Sequence, residues 1–398
     1  MRPSSTNRKS RSLYSWQSVA THDELPYWLA LRRAGLGSTN FSLLLARFRS
    51  ISAAWAADPN ALAASGMDAQ YVRAMLKARA SFDGERELRL LEQHQARAIT
   101  WLDADFPASL KDIPQSPPVL FIHGAAGPEF EQAVAVVGTR RVTPYGRQAC
   151  ETFCAALAAA GVAIISGLAR GVDAIAHRVA IESGAPTVAV LAGGIDQVYP
   201  RENAGLAAQI IRAGCLVSEY PVGIPARRDY FPRRNRILSG LARATLVVEA
   251  GEGSGALHTA NWAFEQGRDV FAIPGSIFSR QSSATNQLIR ENTARLVATP
   301  DQLCEELNLL ATARPSRVPP AAASQPARQP ALAEAAAPAT PASPIEAAIL
   351  AGIDAGPAHV DDIVRATDLP ISEVSSTLQL LELQGRVRLA GPMTYTRA

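Results

Sequence analysis

Apolar and polar positions alternate along residues 98–310 in the way expected for strands that are separated by helices. Short apolar runs rich in β-branched residues predict strands that are buried on both faces. Amphipathic segments lie between them, such as 147–160, where Phe153 and Leu157 share an apolar stripe that ends at Gly161. The predicted strands are 133–137, 162–165, 187–191, 215–217, 245–248, 270–273 and 296–297. This alternation predicts an α/β domain over 98–310, with a doubly wound, Rossmann-like parallel sheet.

Residues 22–97 have the spacing of helices. Leu29, Leu36 and Leu44 are among the apolar residues that recur at helical intervals. We therefore expect an N-terminal helical domain of the helix-hairpin-helix or SAM-like type, preceded by a flexible tail over 1–21. The stretch 32–37 resembles a helix-hairpin-helix turn, whose backbone amides can face a phosphate. The alternative is a helical adaptor that does not touch DNA.

The sharpest change in composition lies at 311–344, where eight of 34 residues are Pro and thirteen are Ala. This composition predicts a flexible or semi-extended linker. After it, 345–398 contain three short helical segments and then a small hairpin around Gly391-Pro392. The helical segments are 345–352, 359–366 and 371–384. Three helices followed by a hairpin predict a winged-helix domain.

The winged helix has two interpretations, a protein-binding module and a DNA reader that places 371–384 in the major groove. The polar positions of that helix include Ser372, Glu373 and Gln379 but no Lys or Arg. Residues 311–398 carry seven basic and eight acidic residues, a net charge of −1. The charge favours the protein-binding interpretation.

Composition narrows the class of protein only in part. The 398 residues include 39 basic and 36 acidic ones, so the net charge of +3 does not indicate a nucleic-acid-binding protein. The four cysteines have no metal-binding spacing, and no apolar run reaches the ~18 residues of a membrane span. We expect a cytoplasmic protein with reduced thiols and with neither metal nor cofactor. Because 36 of the 39 basic residues are Arg, a single Arg is weak evidence of phosphate recognition.

The ends of the predicted strands combine Gly or Ser with a nearby Arg. Ligands of doubly wound sheets bind beyond the carboxyl ends of the strands, where Gly lets backbone amides approach an oxyanion and Arg adds a bidentate donor. Such a row could hold one nucleotide or successive phosphates of a strand. Neither GxGxxG after the first strand nor a Walker motif is present. The candidate residues are Gly138 and Arg140, Ser166, Gly167 and Arg170, and Gly193 followed by Arg201.

The densest basic run is 227–236, with five Arg and two aromatic residues in ten positions. Residues 133–310 have a net charge of only +2, so this run is a local concentration of positive charge. A solvated loop is one interpretation. The other is a binding segment for single-stranded nucleic acid, where bases stack on rings and phosphates pair with Arg. We favour the second and add Arg233, Arg234 and Asn235 to the candidate site.

Taken together, the motifs at the strand ends resemble the DprA/Smf family, the DNA-processing proteins of natural transformation. The resemblance covers about 130–300, and the helical N-terminus and winged-helix C-terminus also fit the family. The matching motifs are VGTR at 137–140, SGLARGVD at 166–173 with Ala176-His177, AVLAGGID at 189–196 with Tyr199-Pro200, SEYP at 218–221, FPRRNRI at 231–237, VEA at 248–250, Ser254-Gly255 with Thr259-Ala260, Gly267-Arg268, and IPG at 273–275.

The resemblance implies a cytosolic protein without catalytic residues that binds incoming single-stranded DNA during competence and DNA recombination. It would load the RecA recombinase onto that DNA and displace single-strand-binding protein. The basic positions with which the family contacts phosphates fall on Arg140, Arg170 and Arg201.

The resemblance also implies a homodimer formed through the segment after the Pro-Gly motif. The corresponding residues are Asn286, Ile289 and Leu296. The chain departs from the family there, because residues 292–295 read NTAR where the family usually has Gly-Ala.

The main alternative is a nucleotide-binding Rossmann enzyme of the Lonely-guy phosphoribohydrolase type. That group carries PGGxGTxxE where this chain has residues 251–260, and no Glu follows at the required spacing. His177 and His258 have no evident nucleophile partner, so we interpret both as structural.

Overall fold

The computed structural model describes residues 24–127, 130, 132–309, 344–353, 356, 358–383, 386–391 and 394–397. The predicted tail over 1–21 and all but the last residue of the predicted linker over 311–344 lie outside the described residues. The chain divides into two compact units, one within 1–316 and one within 317–398.

The first unit is built on a nine-stranded sheet with the order β1-β2-β6-β5-β4-β3-β7-β8-β9. The strands are β1 Arg97–Thr100, β2 Val119–Gly124, β3 Ala133–Val137, β4 Ala163–Ser166, β5 Thr187–Val190, β6 Cys215–Ser218, β7 Ala244–Val247, β8 Asp269–Ala272 and β9 Arg295–Leu296. The seven strands from β6 to β9 in this order are parallel. Each lies within one residue of its predicted bounds, which confirms the Rossmann-like fold class.

The sequence prediction omitted β1 and β2, which extend the sheet antiparallel beyond β6. Alternation of strand with helix identified the other seven strands. β1 and β2 are not joined by a helical crossover of that kind, since antiparallel strands do not require one. The strict strand–helix period therefore does not extend to this edge of the sheet.

Helices cover both faces of the sheet. On β3, Val134 and Val136 pack into one core, while Ala135 and Val137 face the opposite core together with Ile237. The helices of this part of the chain are α7 Ala108–Lys111, α8 Pro144–Ala159, α9 Val172–Glu182, α10 Ala204–Ala213, α11 Tyr230–Leu241, α12 Gly255–Glu265, α13 Ser283–Arg290 and α14 Pro300–Glu306. Short 3₁₀ turns lie at Arg201–Asn203 and Arg280–Ser282.

Six helices precede the sheet and confirm the helical N-terminal region. They are α1 Leu25–Arg33, α2 Ser38–Phe48, α3 Ile51–Ala56, α4 Pro59–Ala63, α5 Ala69–Ser81 and α6 Gly84–Gln93. Trp28 and Phe41 stack with ring centroids 4.9 Å apart, and both meet Trp101 edge-on just after β1. This apolar cluster packs the helices against the sheet.

Both arginines of the turn at 32–37 are engaged within the protein, although Arg33 is exposed. Arg32 is buried and donates to the carbonyl oxygens of Leu36 and Glu219, each at 2.7 Å. Arg33 pairs with Glu87, with 2.6 Å between Nε and Oε1. The amides of Gly35 and Leu36 donate to carbonyls at the end of α1. In the structure this turn therefore joins the helical region to the sheet, which favours the helical adaptor over a phosphate-binding turn.

The second unit contains three helices and a three-stranded sheet of order β10-β12-β11. Its elements are α15 Pro344–Ile353, β10 Ala358–His359, α16 Val360–Thr367, α17 Ile371–Leu383, β11 Val387–Gly391 and β12 Thr394–Arg397. Ile349, Ile363, Val374 and Leu378 form its core. This confirms the winged-helix prediction and adds β10, which pairs with β12. No helix in the described part of the chain is long and apolar enough to cross a membrane.

Candidate nucleic-acid interface

A crevice of about 740 Å³ opens beyond the carboxyl ends of the central strands. β3 lies between β4 and β7, so the chain leaves β3 in one direction and returns to its other side with β7. Such a reversal of strand order leaves a gap between the following loops, and ligands of this fold class bind there. The walls come from the loops after β3, β4, β5 and β7, from the first turns of α11 and α12, and from Gln281 in the segment after β8.

The floor of the crevice requires glycine at the end of β3. A Cβ on Gly138 would lie 2.6 Å from Cγ2 of Val172 and 2.9 Å from the carbonyl oxygen of Glu249. The same carbonyl accepts the Thr139 amide at 2.7 Å. The backbone of β3 is thus held close to its neighbours until the chain turns outward at Arg140, which is exposed.

A cation and two aromatic rings meet at the mouth of the crevice. The guanidinium carbon of Arg140 lies 5.6 Å from the centroid of the Phe231 ring. Tyr199 lies edge-on to the same ring, with centroids 5.6 Å apart, and 55% of Tyr199 is exposed. Flat apolar surface beside a positive charge suits a base and its phosphate.

The positive end of a helix faces the same space. Residues 251–255 line the crevice and lead into α12, and the Ser254 hydroxyl caps the helix by accepting the Ala256 amide at 3.3 Å. Gly253 has a φ of +70°, in the left-handed region that favours glycine. The dipole of the eleven-residue α12 therefore adds positive potential to this wall, which also carries the exposed carboxylate of Glu252.

Arg234 lines the crevice from a buried position, where it supports the surrounding loops. It is buried and donates through Nη1 to the carbonyl oxygens of Gly167, at 2.9 Å, and Val190. Burial lowers its pKa to about 10, although the charge of Asp173 opposes that change. Arg234 thereby ties the end of β5 to the loop after β4.

Arg236 and Asn235 are buried as well. Arg236 forms a two-fold hydrogen-bonded pair with the Glu219 carboxylate, at 2.9 and 2.8 Å. The Asn235 amide donates to the carbonyl oxygen of Gly255, at 3.3 Å. The helix α11 thus turns the side chains of 234–236 inward, so only part of the run 227–236 is exposed to solvent. Arg227, Arg228 and Arg233 remain exposed.

The two aromatic residues of 227–236 also differ in their surroundings. Tyr230 stacks on Tyr220, with centroids 4.0 Å apart and an interplanar angle of 12°, whereas Phe231 faces the crevice.

Asp173 lines the crevice too, and its carboxylate accepts the amides of Gly167 and Ala169 at 3.1 and 3.3 Å. Burial raises the pKa of Asp173, while Arg234 and these two amides oppose the increase.

Two family models match the sequence: DNA recombination-mediator protein A over residues 97–308, and the DprA winged helix domain over 333–391. The chain belongs to the DNA recombination-mediator protein A family. It is 34% identical to Protein Smf of Synechocystis sp., over 94% of this chain and 99% of that protein. It is 35% identical to DNA processing protein DprA of Bacillus subtilis, over 64% of this chain and 88% of that protein.

A solved structure agrees with this assignment. The X-ray structure of DNA processing protein A from Streptococcus pneumoniae matches with a TM-score of 0.64 and 31% identity, over 71% of this chain and 97% of that one. The resemblance drawn from the strand-end motifs is therefore confirmed at the level of the family.

Among the residues predicted from the DprA motifs, the crevice brings together Gly138, Arg140, Arg234 and Asn235. Of the others, Ser166 is buried and donates to the carbonyl oxygen of Val136 at 2.7 Å. A Cβ on Gly193 would lie 2.8 Å from the Ala226 amide nitrogen, and one on Gly167 would meet the Arg234 guanidinium at 2.4 Å. These three positions shape the loops around the crevice.

Arg170, Arg201 and Arg233 are exposed but do not line the crevice. Arg170 is held by Glu202 through two parallel hydrogen bonds of 2.7 Å. This exposed pair raises the pKa of Arg170 and lowers that of Glu202. A phosphate that binds Arg170 has to displace that carboxylate.

The sequence prediction did not name several residues that line the crevice. Tyr199 and Phe231 were quoted within motifs but were not assigned to the site, and Arg228 was noted only as part of the basic run. Gln281 also lines the crevice and had no local sequence signal, since it comes from a loop that follows β8.

The residues predicted for the dimer interface lie close together in the chain but differ in their surroundings. Asn286 is bonded to the Gly275 backbone, accepting its amide at 3.1 Å and donating to its carbonyl at 3.0 Å. Ile289 is partly buried against the core, and Leu296 is 50% exposed on the edge strand β9. The homodimer stays a prediction, with Leu296 as its most accessible apolar residue.

Proposed function

We propose that this protein binds single-stranded DNA in the crevice beyond β3 and β7. The observation that carries the proposal is the contact of Arg140 with Phe231, beside the exposed Tyr199. A base can stack on these rings only when its faces are free, and duplex DNA keeps its bases stacked on each other. The positive end of α12 and the Gly138 turn favour a phosphate a short distance away.

We further propose a role in natural transformation and recombination that involves no catalysis and no cofactor. The protein would bind incoming single strands, displace single-strand-binding protein and load RecA. Its family membership supports this role. In the crevice, Asp173 is held by loop amides in the floor, which supports a binding role for this site.

Titration of fluorescent oligonucleotides tests the binding proposal. We expect tighter binding of a single strand than of the matching duplex, with little dependence on base sequence. Equal or tighter binding of the duplex would contradict it. Incubation with AMP provides a second check, because release of the base would support the phosphoribohydrolase alternative instead.

RecA loading requires a separate experiment. We expect the protein to shorten the lag before RecA polymerises on a single strand coated with single-strand-binding protein. An unchanged lag, with DNA binding intact, would restrict the function to DNA binding.

A further inference from the structure

Two large apolar side chains lie almost entirely in solvent on the loop that follows β8. Ile277 is 84% exposed and Phe278 is 92% exposed, the largest exposed fractions among the large apolar residues that the structure describes. Exposure of adjacent large apolar side chains has a free-energy cost, and such residues often mark an interaction site.

The backbone of this loop is held in place. The Tyr145 hydroxyl donates to the carbonyl oxygen of Pro274 at 2.5 Å, and Asn286 bridges both backbone groups of Gly275. The amide of Phe278 itself donates to the Ser276 hydroxyl at 3.2 Å. The exposed side chains are therefore carried on an ordered turn.

The segment after β8 reaches the crevice at Gln281, while its earlier residues line a neighbouring pocket beside Tyr145. A Cβ on Gly251 would lie 2.8 Å from the carbonyl oxygen of Arg280, and the Thr139 hydroxyl meets Gln281 at 3.1 Å. Phe278 is two residues before Arg280 and three before Gln281. Tyr199 and Phe231 occupy the other side, next to the loops that follow β4 and β5.

The spacing suits several nucleotides between the two aromatic sites. β5 and β8 are four strands apart in the sheet, which is about 19 Å at the usual spacing of neighbouring strands. A stacked strand advances about 3.4 Å per nucleotide. A strand that covers the separation of β5 and β8 therefore carries more than one phosphate.

Charge favours nucleic acid as the occupant. Between residues 274 and 289 the one charged residue is the exposed Arg280, two residues after Phe278, whereas Arg290 pairs with Glu291 at 3.7 Å. An apolar pair next to positive charge fits a base and its phosphate.

We propose that Phe278, with Ile277 beside it, is a second base-stacking contact for the same single strand on the β8 side of the crevice. This inference rests on the proposed function.

Oligonucleotides of two lengths test it in the full-length protein, for example about 4 and about 16 nucleotides, the range of single-strand site sizes. We expect Phe278→Ala to weaken binding of the longer strand at least about fivefold, the lower end for loss of one stacked base, and to leave the shorter strand unaffected. Phe264→Ala is the matched control, because Phe264 is 61% exposed in the last turn of α12 and does not line the crevice.

Unchanged affinity of Phe278→Ala for the longer strand would overturn this inference alone, since the unaltered protein would still bind. If the unaltered protein bound neither strand, the proposed function would fail together with it. The alternative is that Phe278 contacts a second copy of this chain, and light scattering tests it. A Phe278→Ala variant that no longer dimerises but binds the strand with unchanged affinity would show that contact. Photocrosslinking of an iodouracil-substituted strand to the 274–282 peptide is the expected positive result.

Discussion

Arg140 lies over the face of Phe231, with 5.6 Å between its guanidinium carbon and the ring centroid. The two residues come from different elements, the loop after β3 and the first turn of α11. Their contact places a phosphate donor and a base-stacking surface side by side at the mouth of one crevice. The following predictions depend on that arrangement and on the contacts that support it.

Loss of the Phe231 ring should weaken single-strand binding without changing base preference. We expect Phe231→Ala to cost about 1–3 kcal/mol of binding free energy, the usual range for one stacked base. Phe231→Trp should keep most of the affinity, because it retains a flat ring. Titrations against strands of different composition measure both effects. A loss restricted to one base type would contradict stacking as the cause.

Removal of the Glu202 charge should strengthen binding if Arg170 contacts DNA. Glu202→Gln breaks the competing carboxylate pair and leaves Arg170 available to a phosphate. We expect higher affinity and a slope of log K against log salt that is steeper by about 0.7, the value for one phosphate contact on a single strand. Glu265→Gln, at the end of α12, is the control for a lost exposed negative charge. If the two variants changed affinity and salt slope equally, Arg170 would not contact the DNA.

The buried Glu219 should be important for stability. Burial alone would raise its pKa, but Arg236 and Arg32 hold that pKa below its ordinary value. Glu219→Gln would leave two buried guanidinium groups without their counter-charge. We expect a loss of about 3–5 kcal/mol in the free energy of unfolding. Denaturant titration measures it, and Glu202→Gln should stay within about 0.5 kcal/mol because that carboxylate is exposed.

His177 should make the fold sensitive to acid. Burial, and then the nearby Arg234, lower its pKa to about 3. The unfolded chain takes up this proton below about pH 6.5, whereas the folded protein stays neutral there, so stability decreases as pH falls from 6.5 towards 3.

His177→Asn should reduce that slope. Asn can keep the hydrogen bond that Nδ1 makes to the Thr187 hydroxyl, at 2.7 Å, without the titrating ring. Relative to the variant, we expect the unaltered protein to lose roughly 2 kcal/mol by about pH 5. If the free energy of unfolding changed equally with pH in both proteins between neutral pH and pH 5, His177 would not be the group responsible for the acid sensitivity.

The fold was largely predictable because it depends on local patterns. Continuous apolar runs between amphipathic segments identified the seven parallel strands, and the carboxyl ends of those strands located the crevice. β1 and β2 were missed because they do not follow the strand–helix alternation. The pairing of β2 with β6, 91 or more residues later, has no local signal.

The side chains of 234–236 show where sequence reasoning fails. Arg234 is four residues before Leu238 and seven before Leu241, so the helical period places it on the buried side of α11. The density of arginines suggested an exposed segment instead. Several partners of Arg234 and Arg236 lie 17 to 121 residues away, at Glu219, Val190, Gly167 and Gln115, and only the folded chain brings them together.

The salt dependence of single-strand binding by Arg140→Ala tests the central claim most directly. Arg212→Ala is the matched control, because Arg212 is exposed in the last turn of α10, just before β6 and so at the amino ends of the parallel strands, away from the crevice. If Arg140 binds a phosphate in the crevice, its loss should weaken binding to all strands about equally and reduce the slope of log K against log salt by about 0.7. Arg212→Ala should leave both quantities unchanged. An Arg140→Ala variant with the slope and affinity of the unaltered protein would contradict the proposed site.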